Sequence, residues 1–394
     1  MKKIFWISFL AIFVLFIWTA IFPQKIETVD GVRIVHNVKG GQWGKNPQVS
    51  IKLFQTIGDL NTEDENLAFN SPADVAVDAA GNIYVLDASN QRIQKFSPAG
   101  KYLTTIGRKG QGPGEFSYPA AFDIDGQGNF YVLDPFVKKI HVLSPQGKEE
   151  RTIRILKDTI FRTRFLKTGQ FVASIFPGIG AESKQQTKES GLPNMLKLCD
   201  SAGQVVHEFG PIFDYGDNIS NSFGNLVQFD VDKNNDVYVS FSSQNRIEKY
   251  SSDGRVVWRA DRPLNYGTDI IEKGRQESRG VSGPKMNNVS AGITADDKGR
   301  VWVATLNRQI NKEEQISTIV VGGAGGLTKV KTEGNRELQK TDIYKLEIFG
   351  RDGILLGEIS LEQFVDYIRI QKDNLFLIDA ARGAKIYQYK IIEK

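Results

Sequence analysis

The sequence predicts an all-β fold: a six-bladed β-propeller of four-stranded antiparallel blades, closed by its N-terminal strand and preceded by one transmembrane helix. Three observations carry this reading. A unit of roughly 40 residues recurs six times, the period of a four-stranded blade. The last unit lacks its fourth strand, while an orphan fourth strand precedes the first unit. The chain opens with two lysines and an uncharged run.

Each unit has the same order. A short strand ends in Asp or another polar residue, and a turn with Gly or Asn follows. Then come an apolar strand, a second turn, a third strand, and a tight Gly turn into the fourth. The first copy, "ADVAVDAAGNIYVLDASNQRIQKFSPAGKYLTTIG", begins at Ala73, and the second, "AAFDIDGQGNFYVLDPFVKKIHVLSPQGK", at Ala120. Further copies open at Ile160, Leu226, Val289 and Val365. Inner strands packed on both sides should be continuously apolar and outer ones should alternate, as "IYVLD" and "KYLTTIG" do. Asp78, Asp87, Asp125 and Asp134 recur in register, which points to carboxylates capping turns. The stretch "VSIKLFQTIG" from Val49 matches "KYLTTIG" and is the strand expected to complete the last blade, leaving no open edge.

The N-terminal run covers residues 4–22 and would span roughly 28 Å as a helix, close to the hydrocarbon thickness of a bilayer. Lys2 and Lys3 before it place the C-terminal part outside the cytoplasm. Trp18 stands where a cleavage site needs a small residue. An uncleaved signal anchor is therefore favoured over a cleaved signal peptide, which would give a secreted protein. No cysteine follows the run, so a lipid-modified cysteine is excluded. The expected organisation is an anchor over 1–22, a linker with a short strand near Val32–Val38 over 23–48, and the propeller over 49–394. The protein would then be single-pass, with its propeller in the periplasm or outside the cell. Because Val49 begins a fourth strand on the bottom face, the anchor is expected to enter from below.

The repeat "IGRKGQGPGEFSYPAAFDIDGQGNFYVLDPFVKKIHVLSPQGK" resembles an NHL repeat, and the chain from Val49 to Lys394 is similar to bacterial six-bladed propellers with NHL-like repeats. The resemblance implies the fold more firmly than any chemistry. Enzymes among such propellers place metal ligands at the channel end of inner strands. Here His36 falls in the linker, His141 in a third strand and His207 in a fourth, so a histidine metal site at the axis is not expected. Cys199, the single cysteine, reads as a packed side chain in a strand. The run from Asp230 to Asp236 has the opening spacing of a calcium loop but lacks its later Gly and Glu, and coincides with a blade turn. No cofactor is expected. A net charge of +4 over 394 residues gives no basic stripe for nucleic acid.

Binding is expected at the top face, where connections between blades and between second and third strands emerge. Residues 176–194, 260–288 and 306–341 are long insertions at such places. Arg108 and Lys109 of "GRKGQGPGEF" share that face; a phosphate loop would open a helix, whereas this one leads into an inner strand and carries Phe116 as an interblade plug. Polar residues near the start of inner strands are candidates for the channel: Asp74, Arg162, Arg164, Asn225, Ser290 and Asp366. Arg162 and Arg164 stand where other copies are apolar. The expected activity is a monomeric, non-catalytic binding module for a protein, peptide or glycan. The alternative is a propeller lyase or hydrolase with an oxygen-ligated metal at the axis.

Overall fold

The computed structural model describes residues 24–155, 160–176, 192–277, 280–322 and 328–394. Six antiparallel sheets stand around one axis. Their innermost strands are Pro72–Val77, Ala121–Ile124, Ile160–Phe165, Val227–Val231, Ser290–Ala295 and Tyr367–Gln371, which define blades 1 to 6. In each blade the second strand is the most apolar: Ile83–Asp87, Asn374–Asp379 and Val301–Leu306 are buried along their whole length. Residues on both faces of such a strand pack against neighbouring blades, which explains the continuous apolar runs.

Blade 6 is closed as the sequence predicts. Val49–Ile57 pairs antiparallel with Lys385–Glu393, from Val49 opposite Glu393 to Ile57 opposite Ile386. Turn carboxylates recur as expected. Asp78 accepts the Asn82 N–H at 2.8 Å, Asp125 the Asn129 N–H at 2.9 Å and Asp232 the Asp236 N–H at 3.0 Å. A tyrosine hydroxyl six residues on also donates to each of the three. Asp87 and Asp134, at the opposite ends of their blades, accept the N–H of Asn70 and of Ser117.

The opening stretch of each blade crossing also repeats. Gly107 ends the fourth strand of blade 1 with φ +74°, and a Cβ there would lie 2.2 Å from the ring of Phe116. Phe116 is fully buried among Ile106, Tyr84, Phe122 and Phe130 of blades 1 and 2. Gly58 and Phe69 repeat the arrangement before blade 1, with φ +88° and 2.3 Å. Only glycine has both the backbone freedom and the missing side chain these crossings need.

Residues 24–48, expected as a linker, lie on the outside of the ring. Val32–His36 runs parallel to Val256–Asp261, the fourth strand of blade 4, and Lys25–Val29 pairs with Val32–His36. Blade 4 thus becomes a six-stranded sheet. The chain then crosses to blade 5, where the Gln42 and Trp43 N–H groups donate to Leu355 and Leu356. This path corrects the expected entry from below. His36 lies opposite Asp261, from which the long connection to blade 5 leaves, and Lys25 lies opposite His36. The N-terminal segment therefore meets the ring at the rim of the long-loop face.

Three long described connections emerge on that face. Residues 212–226 carry a short helix, Asn218–Gly224. The connection from blade 4 to blade 5 holds the pair Arg275–Glu277 and Gly280–Ser282. The insertion in blade 5 forms the hairpin Ile316–Gly322 with Thr328–Gly334. Most of the blade 3 insertion, 177–191, lies outside the described residues, as does the expected anchor over 4–22. Among the described residues no helix is long and apolar enough to cross a membrane.

Candidate functional site

The inner strands bring charge to the axis in two rings. The lower ring is set by the residues opposite Tyr84, Tyr131, Val172, Tyr238, Trp302 and Phe376 of the second strands. It reads Ala76, Asp123, Arg164, Asp230, Thr294 and Arg369 around the axis. Two residues earlier, toward the long-loop face, the upper ring reads Asp74, Ala121, Arg162, Gln228, Gly292 and Tyr367. Between inner strands with an even side-chain period, both sets share the face that looks inward.

Three arginines and three aspartates meet there. Asp74, fully buried, accepts Arg164 Nη1 at 2.9 Å and Arg369 Nη1 at 3.1 Å, with Arg162 Nη1 at 3.4 Å. Arg369 also donates to Asp123 and to the Phe122 carbonyl. Arg164 Nε lies 3.6 Å from Asp230, whose other oxygen accepts the Thr294 hydroxyl at 2.7 Å. Arg164 donates to the Tyr367 hydroxyl at 2.7 Å, and the Arg162 guanidinium stacks 3.8 Å from the centre of the Tyr367 ring.

The charges balance, and the geometry shows why they tolerate burial. Burial alone would raise the Asp74 carboxyl, but Arg164, Arg369 and Arg162 outweigh it and hold the group well below the usual carboxylate range. Burial likewise opposes the Arg164 charge, and Asp74 leads the groups that restore it and push the guanidinium well above its usual value. Removing one partner from such a set leaves an uncompensated buried charge, which costs about 3–5 kcal/mol. Arg162 is the outlier. It sits in the upper ring, keeps part of its side chain exposed, and makes the longest of the Asp74 contacts. The neighbouring Gln228 amide oxygen is buried without a hydrogen-bond partner. On the opposite side of the rings a cavity of about 300 Å³ is lined by Asp230, Arg369 and the turn residues Lys167, Lys233 and Lys372.

Of the sequence candidates, Asp74, Arg162 and Arg164 converge on this hub. The others do not. The Asn225 amide clamps the ends of the residues before blade 4: its oxygen accepts the Phe213 N–H at 2.8 Å and its nitrogen donates to the Phe213 carbonyl at 2.9 Å. Asp366 accepts the N–H groups of Ala380 and Ala381, away from the hub. Ser290 accepts Arg262 Nη2 at 2.9 Å beside the buried pair of Arg262 with Glu347. Arg108 is paired with Glu115 at 2.8 Å, and the second Glu115 oxygen accepts the Gly112 N–H at 2.9 Å, so the glycine loop closes on its own carboxylate. Lys109 is exposed beside it.

Asp123, Asp230, Tyr367, Thr294 and Arg369 were missed. The same argument that singled out Arg162 and Arg164 applies to Asp123, Asp230 and Arg369: each is a charge inside an apolar inner strand. In sequence the run from Asp230 to Asp236 reads as a turn. Asp232 does cap the turn, but Asp230 belongs to the axis. Among the described residues no group of three or more His, Cys, Asp or Glu side chains is arranged to hold a metal ion. The axial carboxylates already face guanidinium groups, so the donor set does not fit a divalent cation.

A family model described as a six-bladed β-propeller, DUF5128, matches residues 51–162. No protein of curated function matches the chain. A solved structure of a Bacteroides fragilis protein described as exported is 12% identical, covering 92% of this chain and 99% of that one with a TM-score of 0.56. A DUF4221 family member from Bacteroides vulgatus is 11% identical, covering 88% of this chain and 99% of its own, at 0.51. At these identities the likeness is one of fold: the chain is a six-bladed β-propeller.

Proposed function

We propose that this chain is a membrane-anchored, extracytoplasmic NHL-like propeller that acts as a non-catalytic binding module through its long-loop face. The single observation behind this reading is the hub. A charge-balanced plug occupies the place where propeller enzymes keep reactive groups, and the long connections rise around its upper side. Long loops on a rigid ring are where recognition usually resides. Arg162, loosely held and nearest those loops, is the hub cation available to an anionic group on a protein, peptide or glycan ligand. The anchor over residues 4–22 and the extracytoplasmic placement rest on Lys2, Lys3 and the uncharged run that follows. An enzyme with an axial oxygen-ligated metal is disfavoured by the paired carboxylates.

The test is chemical crosslinking in intact membranes with three variants. A partner captured by the intact chain should be lost when the hairpin 316–334 is replaced by a short turn and weakened by Arg162→Gln. It should persist with Lys233→Ala on the opposite face. Equal capture by all three would refute the assignment to this face.

A further inference from the structure

The two faces of the ring differ sharply in what they expose. On the long-loop face Phe136 is 72% exposed, and Phe161, Phe213, Ile271, Val281 and Ile310 are exposed with it. Their neighbours are aromatic too: Tyr118 packs on Phe136 with centroids 4.9 Å apart, and Phe176 on Phe161 at 5.4 Å. On the opposite face, the turns "DAAGN", "DGQGN", "DKNND" and "DDKGR" present small and charged residues, and no described large apolar side chain is exposed in them. Val137 and Leu192, also exposed, lie in connections on the long-loop face, and the remaining exposed large apolar residues lie on third or fourth strands or on Lys25–Val29. Apolar exposure of this kind, gathered on one side, marks an interaction surface.

The chain itself says what lies next to that surface. Lys25 stands at the rim of the long-loop face, and only Pro23 and Gln24 separate it from the uncharged run over 4–22. Two extended residues reach about 7 Å. With residues 4–22 in a bilayer, this rim is held at the lipid surface, and the tether is too short to turn the ring over.

We propose that the long-loop face rests on the bilayer that anchors the chain, with Phe136, Phe161, Phe213 and Ile271 in the headgroup layer. Exposed Phe and Ile side chains gain by entering the boundary between headgroups and acyl chains, which removes their apolar surface from water. The inference rests on the anchoring reading and deepens it. The binding face looks toward the membrane, so its ligands are presented at the membrane surface.

The test uses the full chain in phosphatidylethanolamine–phosphatidylglycerol vesicles. A single added thiol carries an environment-sensitive fluorophore, in Phe136→Cys, Ile271→Cys or, on the opposite face, Asn234→Cys. Cys199 is buried and stays unlabelled. Nitroxide-labelled lipids should remove most of the emission at 136 and 271 and leave 234 unchanged. If the chain survives an alkaline carbonate wash in the membrane yet all three probes escape quenching, the orientation is wrong and the anchor stands. If the wash releases the chain, the anchor fails and the orientation with it. A blue shift at 136 without lipid quenching means that protein, a second copy or this chain's own segments, covers the face, and overturns the proposal.

Discussion

The Arg164 guanidinium donates to the Asp74 carboxylate at 2.9 Å across the axis of the ring, although 90 residues separate them. Neither side chain meets appreciable solvent. The pair ties blade 3 to blade 1, and Arg369 extends the tie to blade 6. Asp74→Ala leaves three guanidinium groups without their common partner. The expected loss is about 3–5 kcal/mol in urea denaturation, with a smaller loss for Asp74→Asn, which keeps an acceptor. A loss under about 1 kcal/mol for the alanine variant would mean the hub contributes little to stability.

The Asp379 carboxyl is pushed up to about 6, first by burial and then by the nearby Asp366 carboxylate, against the Gly383 and Arg382 N–H groups that it accepts. An unfolded Asp titrates at about 3.9. Between these values the folded chain binds the proton more tightly, so this group stabilises the fold below about pH 4 and the contribution fades as pH rises to about 6. The span amounts to at most about 3 kcal/mol. Asp379→Asn should remove that slope, read as the difference between the two stability curves across this window.

Gly107→Ala forces a side chain into φ +74° and against the Phe116 ring. A loss of about 2 kcal/mol or more is expected from backbone strain and overpacking together. Phe116→Ala alone should cost about 3–5 kcal/mol through the cavity it leaves. In the double variant the collision is gone, so the two losses should fall short of adding. Strict additivity in thermal or chemical unfolding would rule out the contact as the source.

His36 is raised by its hydrogen bond to Asp261 at 2.6 Å, and then by Glu27. A histidine raised in the fold stabilises it below its unfolded value, and the contribution is lost as pH rises through the folded value. Lys25–Val29 and Val32–His36 should therefore exchange amide hydrogens faster, relative to the blades, as pH climbs past neutrality. His36→Gln should make their relative protection insensitive to pH; an unchanged pH dependence would assign the effect elsewhere.

The repeat was legible because its turn chemistry is local. Asp78, Asp125 and Asp232 each bind N–H groups a few residues away, and such residues leave a mark at fixed spacing. Phe116 was legible as a plug because the glycine it covers lies nine residues before it in the sequence. The hub was legible only in part. Arg162 and Arg164 stand out as charges among apolar residues, but Asp230 is followed by polar residues and passed for a turn. What decides its role is the blade opposite, which no local pattern reports. The entry point of the chain was misplaced for a similar reason. Lys25–Val29 carries no sign of the fourth strand of blade 4 beside which its partner lies.

The pairing of Val49–Ile57 with Lys385–Glu393 also sets the order of events in making the protein. The Gln55 side chain donates to Gln388, 333 residues further on. During synthesis the first of these strands emerges long before its partner. Until then the fourth strand of blade 6 has no third strand to pair with and carries an unpaired edge, the kind of surface that invites pairing with other chains. Contacts this distant in sequence are slow to form. The interval before closure is therefore when this protein is most exposed to aggregation and proteolysis, and loss of the last ten residues would leave the ring permanently open.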